Sequence, residues 1–115
     1  MRDLDDLRSA VAREGAVARV VIAATRGSAP RGEGAAMLVW PVGQSGSIGG
    51  GRLEHEAAGE ARRFLAEGSN AHVLRQALGP ALGQCCGGSV VLVIERFDQH
   101  KLGAAIEALE LSGRW

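Results

Sequence analysis

The sequence predicts an α/β fold: a single domain with a mixed β-sheet of about five strands flanked by helices. Runs rich in β-branched residues alternate with glycine-rich loops, a pattern typical of buried strands. Helical spacing of apolar residues occurs at both ends of the chain and once in the middle. The 115 residues suit one domain, and we expect it to span residues 1–115 without a repeat.

The first element is predicted to be a helix. Leu4, Leu7 and Val11 recur at helical spacing, Asp3 can cap the start, and Gly15 is a natural stop. This helix is expected to serve as scaffold.

Three strands are predicted to follow this helix. Residues 19–26 have the continuous apolar character of a buried strand, and residues 35–41 repeat it. A hairpin turn over residues 42–46 is expected to lead into a short third strand, Ser47–Ile48.

The second half of the chain predicts a helix, two strands and a final helix. Residues 52–67 place apolar and charged side chains on opposite faces, and Gly68 ends that helix. Residues 71–78 and 89–97 are predicted strands. Asp98 is expected to cap the last helix, whose inward residues are Leu102, Ile106 and Leu109. The glycine-rich loops that join these strands are expected to meet at one edge of the sheet.

Composition excludes several function classes. Thirteen basic and thirteen acidic residues give a formal charge of zero, and Lys101 is the only lysine, so nucleic-acid binding is not expected. The longest apolar runs, 35–42 and 90–94, are too short to cross a membrane. We expect a cytoplasmic protein with free thiols, since no secretory leader is evident.

The glycine-rich stretch 43–54 opens the middle helix. Gly49, Gly50 and Gly51 would expose unpaired N–H groups at the positive end of that helix, which suits an anion or phosphate, although a tight packing turn explains the glycines equally well. Glu54 can interact with the helix dipole itself or accept hydrogen bonds from a ligand. The spacings of a P-loop and of a dinucleotide fingerprint are both missing, as is that of a serine-hydrolase elbow.

Two further loops carry polar or reactive residues. Ser28 and Arg31 follow the first strand, where the guanidinium can bind a phosphate, stack on a flat ring, or simply remain solvated.

The second of these loops holds the two cysteines. Cys85 and Cys86 precede Gly87 and Gly88, and a thiolate beside backbone N–H groups is a soft metal ligand or a sulfur acceptor. Two small buried hydrophobes are the alternative, and the spacing does not fit a zinc site.

Three stretches resemble successive signatures of the XdhC/CoxI family. They are GSAPRG at 27–32, GSIGGGRLE at 46–54 and LGPALGQCCGG at 78–88, here called the first, second and third signature segments. The GQCCGG form is most similar to the N-terminal domain of the XdhC branch. Family members commonly continue into a Rossmann-like C-terminal domain, and we expect none within this chain.

The resemblance implies a chaperone rather than an enzyme. It would bind the molybdenum cofactor (molybdopterin) as cargo and protect it while a cysteine desulfurase supplies a sulfido ligand. It would then insert the cofactor into xanthine dehydrogenase, and a homodimer is expected. The implied cofactor-binding residues, with Cys86 also as the metal ligand, are Cys86, Cys85, Ser28, Arg31, Ser47, Gly49, Gly50, Gly51, Glu54, Gln84, Gly87 and Gly88.

Two alternatives remain open at this point. In the first, Cys85 or Cys86 accepts sulfur and passes it to the metal, so that the protein is a persulfide-relay sulfurtransferase. In the second, the protein is a structural domain that bridges the desulfurase and the target enzyme. Replacement of both cysteines would abolish the first activity and leave the second unaltered.

Overall fold

The computed structural model describes residues 2–27, 32–77 and 88–112. Within them the chain forms three helices and five strands. In chain order these are α1 (Arg2–Glu14), β1 (Ala16–Arg26), β2 (Ala36–Trp40), β3 (Gly43–Gly46), α2 (Gly51–Glu67), β4 (Ala71–Ala77), β5 (Ser89–Asp98) and α3 (Gln99–Ser112).

The strands form one sheet in the order β3-β2-β1-β5-β4, and all four neighbouring pairs are antiparallel. The predicted α/β class, the five strands and the flanking helices are confirmed. We expected mixed pairing, but the described residues contain no parallel pair. The physical reason is that α2, the long crossover, connects β3 and β4, which lie at opposite edges and never pair.

Helices cover both faces of the sheet. On one face α2 packs Leu53, Ala57 and Ala61 against β1, β2 and β5 in the larger buried cluster. On the other face α1 and α3 pack around Val17 and Phe97 in a smaller cluster. The helices therefore contribute to two separate cores on either side of one sheet.

Most predicted helix boundaries agree with the structure. Gly15 and Gly68 follow α1 and α2 with φ angles of 86° and 74°, the left-handed conformation that favours glycine. Asp98 caps α3, because its Oδ1 accepts a 2.9 Å hydrogen bond from the N–H of Lys101. Asp3, by contrast, lies inside α1 rather than before it.

The third strand was predicted in the wrong place. The hairpin turn occupies Pro41 and Val42, so that Trp40 pairs with Gly43 and β3 ends at Gly46. Ser47 leaves the ladder because Gly46 has a φ angle of 78°, which extended backbone does not have.

One of the three inward residues predicted for α3 lies among the described side chains. Leu102 is buried in the smaller cluster as expected, whereas the side chains of Ile106 and Leu109 lie outside the described residues. None of the described helices is long and apolar enough to cross a membrane.

Candidate functional site

The structure describes half of the predicted site residues. Those that it places are Ser47, Gly49, Gly50, Gly51, Glu54 and Gly88. Those outside the described residues are Ser28, Arg31, Gln84, Cys85, Cys86 and Gly87, including the predicted metal ligand.

The described parts of the three signature segments emerge at the same end of the sheet. β1 ends at Arg26, which pairs with Ser89 at the start of β5. Gly27 and Gly88 therefore lie side by side, and a Cβ atom added to Gly27 would be 3.1 Å from the Cα of Gly88. The first and third segments thus touch through their glycine backbones.

The second segment is anchored to the same region through the core. Its Ile48 is fully buried in the larger cluster, together with Ile22 near the end of β1 and Val90 at the start of β5. Because β3 runs in the same direction as β1, the chain leaves β3 towards the end of the sheet where β1 ends and β5 begins, and α2 starts after it.

A carboxylate organises the second segment. Glu54 Oε1 accepts hydrogen bonds from the Ser47 hydroxyl at 2.6 Å and from the N–H groups of Ile48 and Gly50, both at 3.0 Å. The Ser47 hydroxyl oxygen in turn accepts the N–H of Gly49 at 3.0 Å. We call these five residues the Glu54 clamp.

Three successive glycines make the clamp geometrically feasible. Gly49, Gly50 and Gly51 have φ angles of 126°, 75° and 64°, a region that residues with a Cβ rarely adopt. This run of positive φ angles turns the chain so that Glu54, one helical turn into α2, reaches back to the loop.

Glu54 is held in its charged form. Partial burial acts to raise the pKa of Glu54, but hydrogen bonds from Ser47, Gly50 and Ile48 together lower that pKa below its usual value. The carboxylate is therefore ionised at neutral pH, and its charge lies at the positive end of the α2 dipole.

The carboxylate of Glu54 thus occupies part of the anion site that was predicted at the start of α2. The N–H groups of Ile48 and Gly50 are bound to Glu54 and are not available to a ligand. The first-turn N–H groups of Gly51, Arg52 and Leu53 have no side-chain cap, and an α-helix leaves these positions without an intrahelical partner. Gly51 and Arg52 are exposed.

Gln44 and Arg62 were not predicted as part of this region. Gln44 Nε2 lies 3.4 Å from Glu54 Oε2, and Arg62 donates to the carbonyl oxygens of Trp40 and Gly43 at 3.1 and 3.2 Å. No local pattern could have revealed these contacts, because they join residues 10 to 22 positions apart.

No three His, Cys, Asp or Glu side chains cluster as metal ligands among residues 2–27, 32–77 and 88–112. Donors for a metal ion are therefore not assembled in this part of the chain.

Comparison with known proteins identifies a family and similar solved structures. The model of the XdhC and CoxI family matches residues 10–76, a region that includes the first and second signature segments. A crystal structure described as a xanthine dehydrogenase from Bacillus halodurans superposes with a TM-score of 0.76 at 24% sequence identity, covering 90% of this chain. The match covers 33% of that protein, so the chain spans about a third of its length. No curated protein sequence gives a significant match.

Proposed function

Because the chain belongs to the XdhC and CoxI family, we propose that it binds the molybdenum cofactor and delivers it to xanthine dehydrogenase during maturation of that enzyme. The proposal treats the cofactor as cargo and the protein as a non-catalytic carrier. The observation that carries it is the contact between Gly27 and Gly88, which joins two signature segments at the sheet end where the third also lies.

The described donors and acceptors fit a phosphorylated pterin. The uncapped N–H groups of Gly51 and Arg52, both exposed at the start of α2, suit its phosphate. Among residues 2–27, 32–77 and 88–112, Gln44 alone contacts Glu54 Oε2, at 3.4 Å, so this oxygen can accept hydrogen bonds from N–H groups of the pterin. Both functions use atoms that the Glu54 clamp leaves available.

The close approach of Gly27 and Gly88 also fits a bound ligand. A side chain at Gly27 would collide with the neighbouring backbone, since its Cβ would lie 3.1 Å from the Cα of Gly88. The first and third signature segments therefore lie next to each other at Gly27 and Gly88, where one ligand could contact both. Cys86 stays the predicted metal ligand in this proposal, with Cys85 as the second choice.

Cofactor binding is tested by co-elution. The purified protein is mixed anaerobically with molybdenum cofactor released from a donor enzyme, and gel filtration is followed by measurement of molybdenum and pterin in the protein fraction. We expect near-stoichiometric retention with micromolar affinity, about −8 kcal/mol, because a carrier must release its cargo. We expect large losses of retention in C86A and E54A.

E56Q provides the matched control, since Glu56 lies on the same helix, is exposed and, within the described part of the chain, has an ion pair with Arg52 alone, at 3.7 Å. Retention equal to that of wild type in both C86A and E54A, or no retention by the wild-type protein, would reject the proposal.

The sulfur-relay alternative predicts a different product. Incubation with a cysteine desulfurase and cysteine would add one sulfur atom to Cys85 or Cys86, visible as a mass increase of about 32 Da that a reductant removes. Its absence, with cofactor retention intact, would leave passive protection as the role. Partnership with the desulfurase, a homodimer and a cytoplasmic location are part of the proposal.

A further inference from the structure

A cavity lies at the end of the sheet opposite to the contact between Gly27 and Gly88. It has a volume of about 330 Å³ and opens between the start of β1, the end of β2, the C-terminal turns of α2 and Arg96 of β5. Pro41, Leu65 and Ala66 provide apolar walls. We call it the basal cavity, and its volume falls at the lower end of the range for small-molecule sites.

Arg62 contributes an uncompensated positive charge to the basal cavity. Its Nε and Nη2 atoms donate to three neutral oxygens, the carbonyls of Trp40 and Gly43 and the side-chain Oε1 of Gln44. Within the described residues Arg62 has no carboxylate partner, and its Nη1 atom has no hydrogen bond. These contacts fix the guanidinium in place without neutralising it.

The other charges of the basal cavity are already paired. Arg96 Nη1 binds Asp98 Oδ2 at 2.8 Å, which leaves its Nε and Nη2 without partners among the described residues. Glu14 also lines the cavity, but its Oε2 accepts the Nε of Arg13 at 3.0 Å. The charge of Arg62 therefore remains after the two ion pairs cancel.

We propose that the basal cavity binds a small organic anion whose carboxylate or phosphate head contacts Arg62 and the free edge of Arg96. The compact apolar part of that anion packs against Leu65, Ala66 and Pro41. An arginine fixed by neutral oxygens is preorganised for such a head group, because its fork geometry costs little further side-chain entropy to align. The cavity is distinct from the Glu54 clamp but linked to it through Gln44, whose Oε1 accepts from Arg62 and whose Nε2 lies 3.4 Å from Glu54 Oε2.

Binding is tested with two aromatic anions and with a neutral probe that matches one of them, benzoate, in shape. Benzoate and phenyl phosphate are titrated into the ¹⁵N-labelled protein, with neutral benzamide as the control for benzoate, and the backbone amide and arginine Nε–Hε signals are followed by NMR. We expect saturable shifts for Arg62, Leu65 and Ala66, and a dissociation constant for the anions at least about tenfold lower than for benzamide. Added NaCl should weaken anion binding.

Variants separate the site from a structural role of the arginine. R62Q should weaken benzoate binding about tenfold, whereas R63Q should leave it unchanged, because Arg63 is exposed and pairs with Glu60. A66F fills the cavity from an exposed position on the same helix and keeps the charge of Arg62, and it should abolish binding. If R62Q does not fold, A66F decides the question.

Equal affinities for benzoate and benzamide would overturn the proposal. Chemical-shift changes at residues far from the cavity would also overturn the proposal. Binding to A66F with the affinity of wild type would overturn it too.

Discussion

Replacement of Glu54 by alanine should destabilise the protein through the loop that precedes α2. The substitution leaves the Ser47 hydroxyl and the N–H groups of Ile48 and Gly50 without their shared acceptor. E54Q keeps a neutral acceptor of the same shape and should have a smaller effect. E56Q changes an exposed carboxylate on the same helix and provides the control.

The expected magnitude follows from the three hydrogen bonds. Each bond to a charged group contributes up to about 1.5–3 kcal/mol when it is buried. Glu54 is only partly buried, so water can replace much of this, and we expect a loss of about 2 kcal/mol for E54A and about 1 kcal/mol for E54Q. E56Q should cost less than about 0.5 kcal/mol. Urea unfolding followed by circular dichroism measures all three values.

The stabilising contribution of Glu54 should depend on pH. Its pKa is lower in the folded state than in the unfolded chain, so protonation favours unfolding. The difference in free energy of unfolding between wild type and E54Q should therefore have its full value above the ordinary glutamate pKa of about 4.3. It should shrink as the pH falls through the lower pKa of the folded state. Equal stabilities of E54A and E56Q at pH 7, or a gap that widens on acidification, would refute the reasoning.

Three further substitutions test the glycines and a helix cap. G27A should lower the free energy of unfolding in urea by about 1–3 kcal/mol, because Gly27 has a φ angle of 66° and an added Cβ would meet the backbone of Gly88. G32A is the control: Gly32 has open space and no positive φ, so its replacement should lower that free energy by less than about 1 kcal/mol. G59A should raise stability by about 0.5–1 kcal/mol, since this glycine lies within helix α2 with nothing within 4 Å of an added Cβ, and a loss would contradict the assignment. D98A should lower the thermal midpoint more than D98N, which keeps a capping oxygen, and equal midpoints would exclude a capping role.

Periodicity predicted the elements because the signals for helices and strands are local. The apolar face of residues 52–67 and the stop at Gly68 depend on neighbours within one or two turns, and the structure places α2 at Gly51–Glu67. The pairing direction of the strands depends instead on which strands become neighbours. That choice is made by the whole sheet, so the expectation of mixed pairing was not correct.

The candidate site was predictable only where its signals are local. The run Gly49–Gly51 correctly indicated an unusual backbone at the start of a helix. Sequence left open whether Glu54 interacts with the helix dipole or accepts hydrogen bonds from a ligand, and the structure shows that one of its oxygens binds the loop before α2. The third strand was misplaced because Ser47 and Ile48 have the residue types of a strand, whereas the positive φ angle of Gly46 turns the chain out of the ladder and both residues then bind Glu54.

Hydrogen exchange with and without molybdenum cofactor tests most directly whether the signature segments form one binding site. The N–H groups of Gly51, Arg52 and Leu53 have no helical partner in the free chain, so a bound phosphate should slow their exchange. We predict protection in peptides that cover residues 47–54 and, at the same cofactor concentration, in those that contain Gly27 and Gly88. Protection of none of these peptides, or of only one segment, would contradict the proposal that the segments bind one ligand together.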